Sequence, residues 1–440
     1  MKANNNIFRL IGFWCYIKPK ILQLFIIITT FKFIKEWQPK ATKVTMKAWR
    51  LEQPRVENLH LVNDDPIPQT LEDYEVLIKV LAVGLNPVDY KRVKFRPKEK
   101  YPFVVGLDIV GIVEKRGSKV DENSFVEGGT VVLLHGSFEN RVGYFAEFTL
   151  HDSRYLSIVP KEIYQGKDLA EVASHLAGLP CASFTAYQIV FNRLRLFPQD
   201  RHQDLRGLKN IVVSAASGGL GGFALQFLRI WRDSLPEEQR EQVKLIATCS
   251  KKNGDDVTKL GATHAVDYSS EDVVKRLQEL TDNKGVDVFI DNVGFENKRI
   301  ELESLGYEGQ LIISVESGDN FGVNELWSKA QSVHSIFVPS TYLSRNHDKM
   351  EQLRFFGDEV LKFYAQNQIT SLVSEILPFE RVKDGLEMLE GRHVRGKLVA
   401  KLWSKQYDIK LFVIYLFIEK NGLKNFNLKK CFRKHDTMIG

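Results

Sequence analysis

The sequence predicts an α/β protein: a doubly wound parallel sheet set inside a split, β-rich domain. Three observations carry this. An apolar strand at 211–213 runs into a small-residue turn and then an apolar helix (KNIVVSAASGGLGGFALQFL, 209–228). Strands and helices then alternate through 314, the order that builds a parallel sheet. The flanking stretches 46–150 and 369–402 are instead rich in short β-branched strands.

The glycine turn comes first. Ala215, Gly218 and Gly221 are spaced A-x-x-G-x-x-G between strand and helix. Residues without bulky side chains let an anion approach the backbone, and the helix start offers free N–H groups and a positive dipole end. Ala215, Ser217, Gly218, Gly219, Leu220 and Gly221 are therefore expected to cradle the diphosphate of a dinucleotide in a Rossmann-type domain. The expected second strand is 244–248 (KLIAT), followed by a strand at 265–268, a helix at 271–280, and strands at 286–291 (VDVFID) and 310–314.

The end of the second strand selects the dinucleotide. An acidic residue there would hold the ribose 2′-hydroxyl of NAD. This chain reads TCSKKN at 248–253. Ser250 can donate a hydrogen bond and Lys251 or Lys252 can pair with a 2′-phosphate, which points to NADPH. The alternative is a solvated turn, with Asp255 or Asp256 reaching the ribose.

The preceding β-rich part has strand-like runs at 75–83, 108–114, 130–134 and 145–150. Residues 369–402 return to short strands around a helix at 379–389 and close with GKLVAKL at 396–402. A chain of 440 residues accommodates two such domains with full cores.

Composition narrows the function classes. The net charge of +6 is concentrated in the ends. Residues 1–45 hold eight Lys or Arg against one Glu, and residues 403–440 hold eight against three acids. The middle, 46–402, is net acidic, so no nucleic-acid partner is expected. Cys15, Cys181, Cys249 and Cys431 form no C-x-x-C pair, which fits a reducing compartment such as the cytoplasm. The histidines show no ligand-like cluster, and His135 and His175 read as packing or surface residues.

The apolar run at 21–31 is shorter than the about 20 residues a membrane helix needs. Both ends are expected to lie outside the globular enzyme, and Met46 opens a plausible protein on its own. The rival reading is a membrane anchor or a mitochondrial targeting segment at 1–45.

Several phrases in fixed order resemble a known family: GLNPVDY at 84–90, YPFVVGLDIVG at 101–111, LPCASFTAYQ at 179–188, SAASGGLG at 214–221, LGATHAVDY at 260–268, GVDVFIDNVG at 285–294 and GKLV at 396–399. Together they are similar to the zinc-free quinone oxidoreductase (zeta-crystallin-like) branch of the medium-chain dehydrogenase/reductase superfamily, over about 46–402. The resemblance implies a GroES-like catalytic domain at 46–172, an NADP-binding Rossmann domain at 173–366 and a return to the catalytic domain at 367–402. Segments 1–45 and 403–440 fall outside it.

It also implies site residues. Metal-using relatives place a cysteine at Asn86 and Gly-His-Glu at Gly106-Leu107-Asp108. Cys181 falls near their third ligand, but one thiol alone cannot build a tetrahedral site, so no metal is expected. Asn86 is implied beside the nicotinamide, with Tyr90 the nearest proton donor unless it is simply packed, and Asp89 fixing the loop. Thr185 and Tyr268 match family positions near the cofactor. Asn292, ending a strand at the ligand-binding edge, completes the set. Lys397 reads as a surface charge. Without a metal the expected substrates are already electrophilic, quinones or α,β-unsaturated carbonyls reduced by NADPH. The alternative is a dinucleotide-binding protein with a structural or RNA-binding role and little catalysis. Family members often pair as homodimers through the last strand of the dinucleotide sheet. The run at 332–338 could serve that purpose or be a buried internal strand. Two segments, 197–206 and 231–242, are longer than the family's usual connections.

Overall fold

The computed structural model describes residues 45–95, 101–138, 142–198, 208–315, 323–392 and 394–402. The segments 1–44 and 403–440, on which the expectations about anchors and targeting rest, lie outside the described residues, as does most of the 197–206 loop. No described helix is long and apolar enough to cross a membrane.

Six parallel strands form the dinucleotide sheet. In spatial order they are His264–Asp267, Lys244–Cys249, Asn210–Val213, Val286–Asp291, Leu305–Ile313 and Ser332–Ser335. In chain order this is 3-2-1-4-5-6, the doubly wound arrangement. The first strand lies beside the fourth, so the crevice between their C-terminal ends opens above Val213 and Asp291. The strand at 332 is the outermost one, not an internal one.

The helix Gly219–Asp233 is buried on nearly every side. One face packs on the sheet. The other meets helix Pro180–Tyr187 and an aromatic cluster of Tyr187, Phe191, Phe227, Phe356 and Phe363, with ring centroids 4.7–6.0 Å apart. Gln226, a polar residue in that buried helix, is satisfied by the backbone of Thr370, accepting from its N at 2.7 Å. The helix continues through Asp233, and Pro236 starts a short surface helix, Glu237–Gln242, which accounts for the long connection at 231–242.

The second domain holds a seven-stranded sheet. Its path is Val373–Pro378, Lys397–Lys401, Glu75–Leu85, Asp108–Arg116, Val131–His135 and Ser157–Ile158, with Phe148–Asp152 also paired to Glu75–Leu85. A three-stranded sheet of Leu59–Pro66, Thr45–Leu51 and Phe103–Val104 accompanies it. The domain boundary expected at 172/173 falls inside helix Leu169–Leu176. Close approach there requires Gly84, because a Cβ on it would stand 2.1 Å from the Ala177 carbonyl oxygen.

The closing strand joins the halves where it matters. Leu398 pairs with Leu85, while Gly396 N donates to Ser217 O at 3.0 Å and bridges to Gly218. The glycine turn and the 84–90 phrase are thus held by one strand.

Candidate active site

The cradle forms where the strand Asn210–Val213 ends. Ala215 adopts φ +46°, a left-handed turn normally left to glycine, at a cost of about 1 kcal/mol. The turn is pinned by Gly218 N to Ala215 O (3.0 Å) and Ala216 N to Thr248 O (3.2 Å). Gly218 is the extended cap of the helix. The N–H groups of the first turn, at Gly219, Leu220 and Gly221, have no helical carbonyl before them and face the crevice end of the sheet. Asn253 Nδ2 donates to Ser217 Oγ (3.0 Å) and Ser250 Oγ (3.1 Å), tying the turn to the end of the second strand.

At that strand end Ser250 is half-buried and Lys251 exposed. Lys251 and Tyr268 stand at adjacent strand ends, Tyr268 largely exposed. Of the carboxylates that might take the ribose instead, Asp256 is paired with Arg395 at 2.8 Å. Asp267 was not anticipated. It accepts from Lys251 N (3.0 Å), and hydrogen bonds from Ser269 and Ser270 hold it down at about 2. It is thus engaged by its own turn.

The other end of the crevice begins with local helix chemistry. Asn86 immediately precedes helix Pro87–Phe95, with proline at the first helical position. Asp89 Oδ2 accepts from Asn86 N (2.8 Å), the side-chain half of a capping box, while Asp89 N donates to the Asn86 backbone O (3.0 Å). Asp89 therefore fixes the loop. The Asn86 amide is left to face inward.

There it links three buried groups. Asn86 Nδ2 donates to Asp108 Oδ2 (2.9 Å) and weakly to Gly84 O (3.4 Å). Asn86 Oδ1 accepts from Lys397 Nζ, which also donates to Leu85 O at 3.1 Å. Asp108 Oδ2 accepts from Cys181 N (2.9 Å), and Asp108 Oδ1 pairs with His135 Nδ1 (2.7 Å). Lys397 is 4% exposed, so the expected surface charge is a buried one. The strand register that sets Leu398 opposite Leu85 turns Lys397 into the crevice.

His135, expected to be a packing or surface residue, belongs to the same network, with its Nε2 buried and unpartnered among the described residues. Its backbone is held by a second chain. Tyr144 OH donates to His151 Nδ1 (3.0 Å), His151 Nε2 to Tyr342 OH (3.0 Å), and Tyr342 OH to His135 O (2.9 Å). Burial lowers His151 to about 4, which keeps it neutral as this relay requires.

The remaining candidates separate. Tyr90 packs in the core of the catalytic domain, with Lys94, Glu390 and Arg392 as its charged neighbours, and does not join the Asn86 network. Thr185 Oγ1 donates to Cys181 O (2.7 Å). Asn292 ties strand ends together, its N and Nδ2 donating to Ser214 Oγ and O (2.8 Å each) and its Oδ1 accepting from Ser314 Oγ (2.8 Å). Nearby Glu301, which no sequence pattern singles out, is pushed up to about 8 by burial and the Asp291 carboxylate.

The structure also gives Cys181 the neighbours that the sequence denied it. Ligand atoms of Asp108, His135 and Cys181 lie within 4.8 Å of one another. The set nonetheless fits a metal poorly. Both Asp108 oxygens already accept N–H donors. Burial and the Asp108 carboxylate push the Cys181 thiol well up, and the Lys397 ammonium sits close by, which disfavours a second cation.

Asp89 gives the site a pH dependence. Burial, then the Asp108 carboxylate, raises it to about 7. Its other oxygen has no partner among the described residues. An acid raised on folding holds its proton in the native state after the unfolded chain has lost it. Stability therefore falls between about pH 4 and pH 7 and levels off above. Asp89→Asn keeps the acceptor for Asn86 N and should flatten that fall, which amounts to on the order of 4 kcal/mol across the window. Urea unfolding at pH 4.5 and 8 measures it; equal pH slopes in the two proteins would remove Asp89 as the source.

Comparison with known proteins fits this geometry. Residues 72–161 match the alcohol dehydrogenase GroES-like domain and residues 260–399 the zinc-binding dehydrogenase model. The mitochondrial NAD(P)H oxidoreductase RTN4IP1 of Danio rerio is 24% identical over 394 residues, spanning 84% of this chain and 94% of that protein. The chloroplastic NADPH-dependent alkenal/one oxidoreductase of Arabidopsis thaliana is 28% identical over 366 residues, 80% of this chain and 79% of that one. The solved quinone oxidoreductase from Coxiella burnetii superposes with a TM-score of 0.61 at 23% identity, covering 82% of this chain and all of that one. The fold and site define an oxidoreductase that binds a nicotinamide dinucleotide. The chain belongs to the medium-chain dehydrogenase/reductase superfamily.

Proposed function

We propose that the protein reduces quinones or α,β-unsaturated carbonyls with NADPH and without a metal. The observation that carries this is the Lys397–Asn86–Asp108–His135 network. It fills the catalytic end of the crevice with an ammonium and an amide, and already engages Asp108 and His135, two of the three groups there that could ligate a metal.

Alcohol oxidation needs a group to hold an alkoxide, the task a metal performs. An enone or quinone is already electrophilic and needs only hydrogen-bond donors for the charge that develops on its oxygen. Bound NADPH supplies the hydride. The first-turn N–H groups of Gly219, Leu220 and Gly221 hold the diphosphate, and Ser250 and Lys251 hold the 2′-phosphate. Asn86 and Lys397 face the reacting end, while Leu107 and the apolar strand ends keep water out.

The test is loss of reduced-cofactor absorbance with a panel of quinones and enones. Tight NADPH binding without turnover would instead favour a dinucleotide-binding protein of little catalysis, and stoichiometric zinc in the purified protein would overturn the metal-free reading. Cofactor choice is checked separately. Lys251→Ala should weaken NADPH about tenfold, the loss of one exposed charge-assisted contact, and leave NADH unchanged. Equal wild-type affinities for the two cofactors would sink the assignment to NADPH.

A further inference from the structure

We propose that Lys397 is a catalytic residue: its ammonium is the donor to the substrate oxygen on which charge builds during hydride transfer. The inference rests on the functional reading above and names the group that performs its central step.

The case starts from the donors at this end of the crevice. Both hydrogens of Asn86 Nδ2 are engaged, by Asp108 and Gly84. Thr185 gives its hydroxyl hydrogen to Cys181 O, and Asn292 gives one of its two amide hydrogens to Ser214 O. Tyr90 lies outside the network. Lys397 differs in being charged and in contacting both the cradle helix and Asn86. An ammonium has three N–H donors, and two acceptors are present, Leu85 O and Asn86 Oδ1. Among the described residues one N–H is left over.

Position supports the same role. The Lys397 stem lies along the first turn of the cradle helix, so that a Cβ on Gly219 would stand 2.6 Å from Lys397 Cδ. The side chain thus runs from the diphosphate cradle to the Asn86 amide, alongside the path between the two ends of a bound dinucleotide. Its charge is not directly neutralised, because no described carboxylate makes an ion pair with it. Asp108 is reached only through the Asn86 amide. A buried cation held by two neutral oxygens is costly in the resting protein. It becomes favourable when an anion forms beside it, which is the differential stabilisation that lowers a barrier.

The step balances without a further reagent. Bound NADPH would supply a hydride with its electron pair to the substrate β-carbon, which would leave the dinucleotide oxidised and the enone as an enolate. Lys397 donates a hydrogen bond to the enolate oxygen and retains its proton. The α-carbon then takes a proton from water.

The experiment compares K397M, K397Q and K397R in the full chain, with kcat, the NADPH dissociation constant and the melting temperature measured for each. K397M should lower kcat about 100- to 1000-fold with NADPH affinity within about threefold of wild type. K397R should keep at least about tenfold more activity than K397M. K397Q can still donate to Asn86 Oδ1 but carries no charge, so it should be as slow as K397M. Should K397M fail to fold, K397R against K397Q gives the same contrast. A K397M kcat near wild type overturns the proposal. So does a loss confined to NADPH affinity, which would make Lys397 a diphosphate ligand, or recovery in K397Q, which would make it only a support for Asn86. A wild type inactive on every quinone and enone overturns the functional reading itself, and the proposal with it.

Discussion

Asn86→Ala should cut kcat about 100-fold or more and destabilise the protein by about 2–4 kcal/mol. The two effects share one cause. The Asn86 amide is the link between a buried ammonium and a buried carboxylate. Truncating it leaves Lys397 with Leu85 O alone. Asp108 Oδ2 keeps only Cys181 N. Neither group can turn to water, since Asn86, Asp108 and Lys397 are all buried. The ammonium is then free to swing away from the substrate oxygen, so the loss should fall on kcat more than on NADPH affinity. Steady-state kinetics and urea unfolding of the variant measure both parts. Unchanged kinetics in a stably folded variant would remove Asn86 from the site.

The sequence made the dinucleotide sheet legible because its inner strands are continuous apolar runs. The expected strand at 286–291 is observed residue for residue as Val286–Asp291. Where neighbouring residues break the pattern, the reading slips. The strand expected at 310–314 runs from Leu305 to Ile313, because exposed Tyr307 and Glu308, the latter at φ +60°, interrupt its first half. The strand expected at 145–150 is Phe148–Asp152. Phe145 is as apolar as a strand residue, but its backbone bonds Trp49 and Val105 instead of the large sheet.

The same contrast holds at the site. The cradle lies within seven consecutive residues, so its chemistry can be read locally. The network at the other end draws on positions 86, 108, 135, 181 and 397, which only the tertiary fold assembles. Lys397 and Lys401 look alike in GKLVAKL. Only pairing to Glu75–Leu85 separates the one buried against Asn86 from the half-exposed one near the strand's end. His135 ends an apolar strand and gives no sign that a carboxylate 27 residues earlier is its partner.

Gly221→Val should nearly abolish dinucleotide binding, raising the NADPH dissociation constant at least about 100-fold, some 2.7 kcal/mol. A Cβ at Gly221 would stand 2.6 Å from Ala215 O and 2.8 Å from Ala216 Cα, both backbone atoms. Neither is the end of a flexible side chain, so the helix or the turn must move. The turn is held on three sides, by Ala216 N to Thr248 O, Gly218 N to Ala215 O, and Gly396 N to Ser217 O. The helix is held by its buried aromatic face. Any relief therefore pulls the first-turn N–H groups off the diphosphate, or breaks packing at a cost of about 1–3 kcal/mol. Gly254→Ala is the control, because a Cβ there meets nothing within 4 Å. Titration of NADPH into both variants decides the matter. Wild-type affinity in a folded Gly221→Val protein would mean that the cofactor does not lie across this turn, since no bulky residue fits between helix and turn while both keep the positions that a diphosphate requires.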